Sequence, residues 1–149
     1  MTNVLPPFLK FPVIDSDTIR LMQVHQNDIK DLVEISFYDA KPASTLEKAI
    51  FIQNQINEDY KNGSCLHWVI IQKATSNIIG TIGYYRGFNN NTGELGFVLL
   101  PQFRGQGFMT KAIQLATEFG LKNLGLNKVI AITTKQNSKV LKLLERSNF

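Results

Sequence analysis

The chain has 149 residues, 44% of them hydrophobic and 19% charged, with ten Phe. That length fits one domain spanning residues 1–149, large enough to bury roughly 68–70% of its unfolded surface, and the composition excludes disorder, collagen and coiled coil. The net charge of +4 mildly favours an anionic partner. The basic residues are scattered with no run of five or six, so nucleic acid is not the expected partner.

No apolar run approaches the roughly 20 residues a bilayer needs, which argues against a membrane partner. Residues 1–12 carry Pro6, Pro7 and Pro12 and no basic stretch before an apolar one, which argues against a signal peptide. The lone cysteine, Cys65, cannot make an internal disulfide, so a reducing cytoplasm is the expected compartment.

Residues 1–17 read as an irregular arm. Residues 18–24, with Ile19 and Leu21, read as a strand. Asn27 can cap a following helix whose stripe is Ile29, Leu32, Val33 and Phe37. Ser44 and Glu47 have capping-box spacing for a second helix, with Leu46, Ala49, Ile50, Gln53 and Ile56 on one face. Gly63 supplies its left-handed stop. Residues 66–72 are rich in β formers, Thr75-Ser76-Asn77 is a turn, and residues 78–86 complete a hairpin. Residues 94–100 form a third strand after the turn Asn89-Asn90-Asn91-Thr92-Gly93. A loop over 101–106 leads into a helix over 107–122, with Met109, Ile113 and Ala116 inward. A strand over 128–134 and a helix over 138–146 follow. The order β α α β β β α β α predicts an α/β (α+β) fold: an antiparallel N-terminal half, then a parallel β–loop–α–β unit.

The segment Leu99-Leu100-Pro101-Gln102-Phe103-Arg104-Gly105-Gln106-Gly107-Phe108 carries most of the chemistry. A strand ends, two glycines follow at i and i+2, and a helix begins. Glycine lets backbone N–H groups approach a ligand, and the helix N-terminus adds free donors and positive dipole. With Arg104, this is an anion cradle suited to a pyrophosphate. It is no Walker loop, because Gly-Lys-Ser/Thr is absent. It departs from the dinucleotide fingerprint too: Thr110 stands where the third Gly or Ala belongs, and no acidic residue ends a strand about 20 residues on.

Gln102-Phe103-Arg104-Gly105-Gln106-Gly107 is similar to the Q/R-x-x-G-x-G/A acetyl-CoA motif of the GNAT N-acetyltransferases. Ile79-Gly80-Thr81-Ile82-Gly83, Glu94-Leu95-Gly96-Phe97-Val98-Leu99 and Asn137-Ser138-Lys139-Val140-Leu141 resemble the ribosomal-protein-alanine acetyltransferase (RimJ/RimL-like) branch. The resemblance covers residues 18–149. It implies a GNAT fold with a mixed central sheet whose parallel strands splay around acetyl-CoA. It places the pyrophosphate on Gln102, Phe103, Arg104, Gly105, Gln106 and Gly107, with Phe108 and Met109 at the helix start. It lays pantetheine along Phe97, Val98 and Leu99 and brings Asn137 to the cofactor arm.

The implied reaction is direct transfer of acetyl from acetyl-CoA to a primary amine, on a protein N-terminus or a small molecule, with no metal and no covalent enzyme intermediate. Glu94 heads the pantetheine strand and is the expected base. A backbone N–H of the splayed strand can polarise the carbonyl. Tyr84, Tyr85 and His67 are candidates for the acceptor cleft. Cys65 has no basic partner nearby in the sequence and is not expected to act as a nucleophile. The alternative reading is a non-catalytic acyl-CoA-binding protein with the same fold.

Three residues depart from the family pattern: Leu144 where many members place a tyrosine acid, Lys111 where the branch has Glu, and Asn148 where Gly is usual. The family continues past Phe149 with two further strands, so the C-terminal strands are expected to be absent here. The apolar edge at 128–134 then needs a cover. The three options are another copy of the chain, giving a homodimer; the N-terminal arm through Phe8 and Phe11; or residues beyond this sequence.

Overall fold

The computed structural model describes residues 5–38 and 41–131. In chain order the described strands and α-helices are β1 (Ile14–Asp15), β2 (Ile19–Met22), β3 (Phe37–Tyr38), β4 (Lys41–Pro42), α1 (Leu46–Lys61), β5 (Leu66–Gln72), β6 (Asn77–Tyr85), β7 (Thr92–Leu99), α2 (Phe108–Lys122) and β8 (Lys128–Ala131). The central sheet runs β1-β2-β5-β6-β7-β8, while β3 and β4 pair separately. Every neighbour in the central sheet is antiparallel except β7 and β8, which run parallel in the register Thr92↔Lys128 to Leu95↔Ala131. This is the expected mixed sheet, with α2 as the crossover between its parallel strands. Residues 132–134 of the expected strand, the helix at 138–146, and Asn137, Leu144 and Asn148 lie outside the described residues.

Strand alternation divides the core between the two faces. Leu66, Trp68, Ile70, Ile82, Tyr84, Leu95 and Leu99 pack with Met109, Ala112, Ile113 and Ala116 of α2. Val69 packs on the other face with Ala49, Ile52 and Ile56 of α1, together with Val24, Ile29, Leu32 and Ile35. The helix stripe on α1 is therefore Ala49, Ile52, Gln53 and Ile56, and Leu46 is exposed. The β5–β6 register skips Ile79, whose carbonyl instead accepts the Leu100 N–H at 2.8 Å. This bulge ties the end of β7, and so the start of the glycine loop, to the middle of the sheet.

Four expectations need correction. The helix expected after Asn27 is two 3₁₀ turns, Gln26–Asp31 and Val33–Ile35. The cap is His25, whose backbone N–H donates to Asp28 at 2.8 Å. α1 is capped by Thr45, which accepts from the Lys48 N–H at 3.1 Å, whereas Ser44 has φ +61° and stands outside the helix. Gly63 does end α1, at φ +81°. The arm is anchored rather than irregular throughout: β1 pairs with β2, Trp68 Nε1 donates to the Pro12 carbonyl at 3.0 Å, and the Phe8 N–H donates to the Tyr60 hydroxyl at 2.9 Å. The arm thus sits at the β2 edge of the sheet, so it is not the cover for β8.

Candidate active site

The loop after β7 is short and well braced. A 3₁₀ turn, Pro101–Phe103, is followed by Gly105 at φ +79° and Gly107 at φ +85°. Both angles lie where a side chain is disfavoured. A Cβ built on either glycine meets no protein atom within 4 Å. These glycines therefore leave backbone bare toward open space rather than making room for the protein. Phe103 and Phe108 meet edge to face across the loop, with centroids 6.5 Å apart. The Gln106 amide donates to the Gln102 carbonyl at 3.3 Å. Arg104 Nε donates to the Leu99 carbonyl at 3.3 Å, which turns the exposed guanidinium back along the end of β7.

Gly107 is also the N-cap of α2 and has no side chain to cap it, and the first turn contains no acidic residue. The N–H groups of that turn thus have no intrahelical acceptor and sit at the positive end of the dipole. The Thr110 hydroxyl in the same turn is buried without a hydrogen-bond partner. Met109 is buried in the α2-side core, which leaves its backbone as the part that can face the loop. Together these groups fit a pyrophosphate.

Glu94 lies on β7 opposite Tyr85 of β6 and Ile130 of β8. Its side chain is 22% exposed, and its nearest described cation is Arg86 at 3.8 Å, itself 65% exposed. A pair at that separation, with the guanidinium largely in solvent, holds weakly. A cationic amine can compete for the same carboxylate. Arg86 has φ +66° and precedes Gly87 at φ +81°, so the chain turns sharply beside Glu94. The sequence offered no signal for Arg86 beyond its place before a glycine.

The three acceptor-cleft candidates part company. Tyr84 is fully buried on the α2 side, and its hydroxyl donates to the Ala116 carbonyl at 2.6 Å. It is a core residue and lines no cleft, which corrects the expectation. Tyr85 and His67 stand together on the α1 side, joined through the Tyr85 hydroxyl and His67 Nδ1. Burial lowers the His67 pKa to about 4 and raises that of Tyr85 well above 10. The ring pair is therefore neutral at ordinary pH. Cys65 is buried, and burial pushes its thiol up to about 12, with the Asp59 charge adding to the effect. Among the described residues, no group of three or more His, Cys, Asp or Glu could hold a metal ion, and no helix is long and apolar enough to cross a membrane.

The family described as acetyltransferase (GNAT) domain matches residues 12–149. The chain belongs to the GNAT acetyltransferases. It is an acetyl-CoA-dependent N-acetyltransferase, since members of this family use acetyl-CoA as co-substrate. Among its relatives is an uncharacterized N-acetyltransferase of Bacillus subtilis, YoaA, 24% identical in an alignment that covers 93% of this chain and 83% of that one. The spermidine N(1)-acetyltransferase of Escherichia coli K12 is 30% identical over 56 residues, 38% of this chain and 30% of that protein. A solved Vibrio cholerae structure, provisionally named a ribosomal-protein-serine acetyltransferase, superposes with a TM-score of 0.79 at 16% identity. The match covers 97% of this chain and 84% of that one, and supports the fold.

Proposed function

We propose that this N-acetyltransferase transfers acetyl to the primary amine of a small molecule, with Glu94 taking the proton from the attacking ammonium. The observation that carries the reading is the Glu94 carboxylate, 3.8 Å from an exposed Arg86, in the N-terminal half of the strand that leads into the open glycine loop. Acetyl-CoA bound there supplies the activated acetyl group. Gly105, Gly107 and the first-turn N–H groups of α2 hold its pyrophosphate, assisted by Arg104 and the Thr110 hydroxyl. The backbone of Phe97, Val98 and Leu99 orients the pantetheine arm, and Asn137 is a further contact to it. A strand rises about 3.3 Å per residue, so Glu94 stands about 17 Å back along β7 from Leu99. An arm laid along that strand points its reacting end toward the carboxylate. Glu94 accepts the ammonium proton directly or through water, and a backbone N–H of β7 polarises the carbonyl.

The acceptor class draws on the spermidine N(1)-acetyltransferase relative. A second reading, a protein N-terminus as acceptor, draws on the resemblance to the ribosomal-protein acetyltransferases and on the name of the superposed Vibrio cholerae protein. Self-association through the outer edge of β8, in a cytoplasmic protein, goes with either reading. An acceptor screen tests them: acetyl-CoA with polyamines, amino acids, aminoglycosides and peptides with N-terminal Ala or Ser, read by release of free CoA thiol. Turnover with a small amine and none with peptides is expected. Turnover confined to peptides replaces the first reading with the second.

A further inference from the structure

Gly83 of β6 and Gly96 of β7 are direct partners across the ladder, and His67 of β5 is the partner of Gly83 on its other side. This row is crossed by the Tyr85 ring. A Cβ on Gly83 would come within 2.6 Å of the Leu66 carbonyl and 2.8 Å of the Tyr85 hydroxyl. One on Gly96 would meet two ring carbons of Tyr85 at 3.1 Å. The two glycines therefore leave a bare patch of sheet on which the ring is seated. His67 holds it there through the hydroxyl, with ring centroids 5.7 Å apart and planes at 55°. The Tyr85 hydroxyl and His67 Nδ1 share this hydrogen bond, and the imidazole tautomer sets which of them donates.

We propose that the Tyr85 ring is the wall that keeps water away from the thioester of bound acetyl-CoA. This rests on the pantetheine arm lying along residues 97–99 as set out above. Running back from the loop, the arm brings its reacting end to Gly96, the residue the ring covers. Gly96 is also the first residue of β7 past the described ladder to β8, which ends at Leu95↔Ala131. The hydroxyl reaches toward β5 and away from β8, so Tyr85 gives no proton to the sulfur. Its contribution is the space it fills. Glu94, the cross-strand partner of Tyr85, is then the polar side chain beside the reacting carbon on that face. His67 is a positioning residue, acting through the ring.

Hydrolysis in the absence of any amine reads this wall directly. A water oxygen bonds to the acetyl carbon, the C–S bond breaks, acetate and CoA thiol leave, and the water's protons pass to the thiolate and the medium. Thiol release from acetyl-CoA alone is followed for the wild type, Tyr85→Ala, Tyr85→Phe and His67→Ala, with acetyl-CoA affinity by calorimetry and folding by thermal melt. Tyr85→Ala is expected to raise the hydrolysis rate at least fivefold with the acetyl-CoA Kd within twofold of wild type. His67→Ala should give a smaller rise, and Tyr85→Phe, which keeps the ring, a rise below twofold. Unchanged hydrolysis in a folded Tyr85→Ala protein that binds acetyl-CoA overturns the proposal. If that variant does not fold, Tyr85→Leu is read by the same criterion, because it keeps apolar volume without the reach across Gly96. Absence of acetyl-CoA binding in the wild type would instead overturn the placement of the arm, and calorimetry separates the two failures.

Discussion

The Tyr84 hydroxyl, fully buried in the sheet, is bonded to the Ala116 carbonyl in the middle of α2. The contact is possible because Gly93 and Gly120 lack a Cβ: one on Gly93 would meet the Tyr84 ring at 2.6 Å, and one on Gly120 would collide with the hydroxyl. The helix that opens on the Gly105–Gly107 loop is thereby keyed to the strand beside Glu94's own.

Gly120→Ala is expected to lower folding stability by about 1–3 kcal/mol through overpacking, and Tyr84→Phe by about 1 kcal/mol through the lost hydrogen bond. The double variant should lose less than the sum, because Phe removes the oxygen that the new methyl meets. Urea denaturation of the three proteins checks this, and additive losses would show that the contact is not the cause.

Gly107→Val should weaken acetyl-CoA binding at least tenfold, about 1.4 kcal/mol. The side chain would enter the open space now facing the backbone, at a φ that valine disfavours. Calorimetric titration measures the loss, and a thermal melt confirms that the variant is folded. Equal affinity in a folded variant removes the loop from the binding site.

Glu94→Gln should lower kcat by roughly 10²–10⁴ while the acetyl-CoA Kd hardly moves. The amide keeps the shape of the carboxylate but cannot take the proton. Steady-state kinetics with the amine found by the acceptor screen decide it, and a loss below threefold would assign the base to another group.

His67 makes stability depend on pH in a defined window. Its folded pKa of about 4 lies below the ordinary 6.5. Above 6.5 both folded and unfolded chains keep the ring neutral, and its contribution is fully present. As pH falls from 6.5 toward 4 the unfolded chain takes the proton and the buried ring does not, so stability is lost. Melting temperature should therefore fall across that window, and His67→Gln should flatten this part of the curve.

The legible parts of the sequence were those set by local chemistry. The hairpin, the glycine stop at Gly63, the parallel pairing of β7 and β8 and the Gly105–Gly107 loop all follow from residue types that permit few alternatives. Ile29, Leu32 and Val33 misled because spacings of three and four suit a 3₁₀ turn and an α-helix alike over so short a run. Adjacent Ser44 and Thr45 offered the same capping hydroxyl, and only the backbone angle separates them. Tyr84 and Tyr85 were indistinguishable for a related reason. Which neighbour enters the core depends on the strand's facing, and that is decided by partners many residues away. The seat for Tyr85 needed the same information, since Gly83 and Gly96 become one surface only once β6 and β7 are in register.

The anchored arm gives the molecule a built-in optical signal. Trp68 is the single tryptophan of the chain. Its indole is buried edge-on between Tyr84 and Phe119, with its N–H on the Pro12 carbonyl. Tryptophan emission therefore comes from one indole that senses the seating of the N-terminal segment and the α2-side core together. Lifting residue 12 away hands that N–H to solvent, and the emission shifts to the red before the sheet itself has come apart.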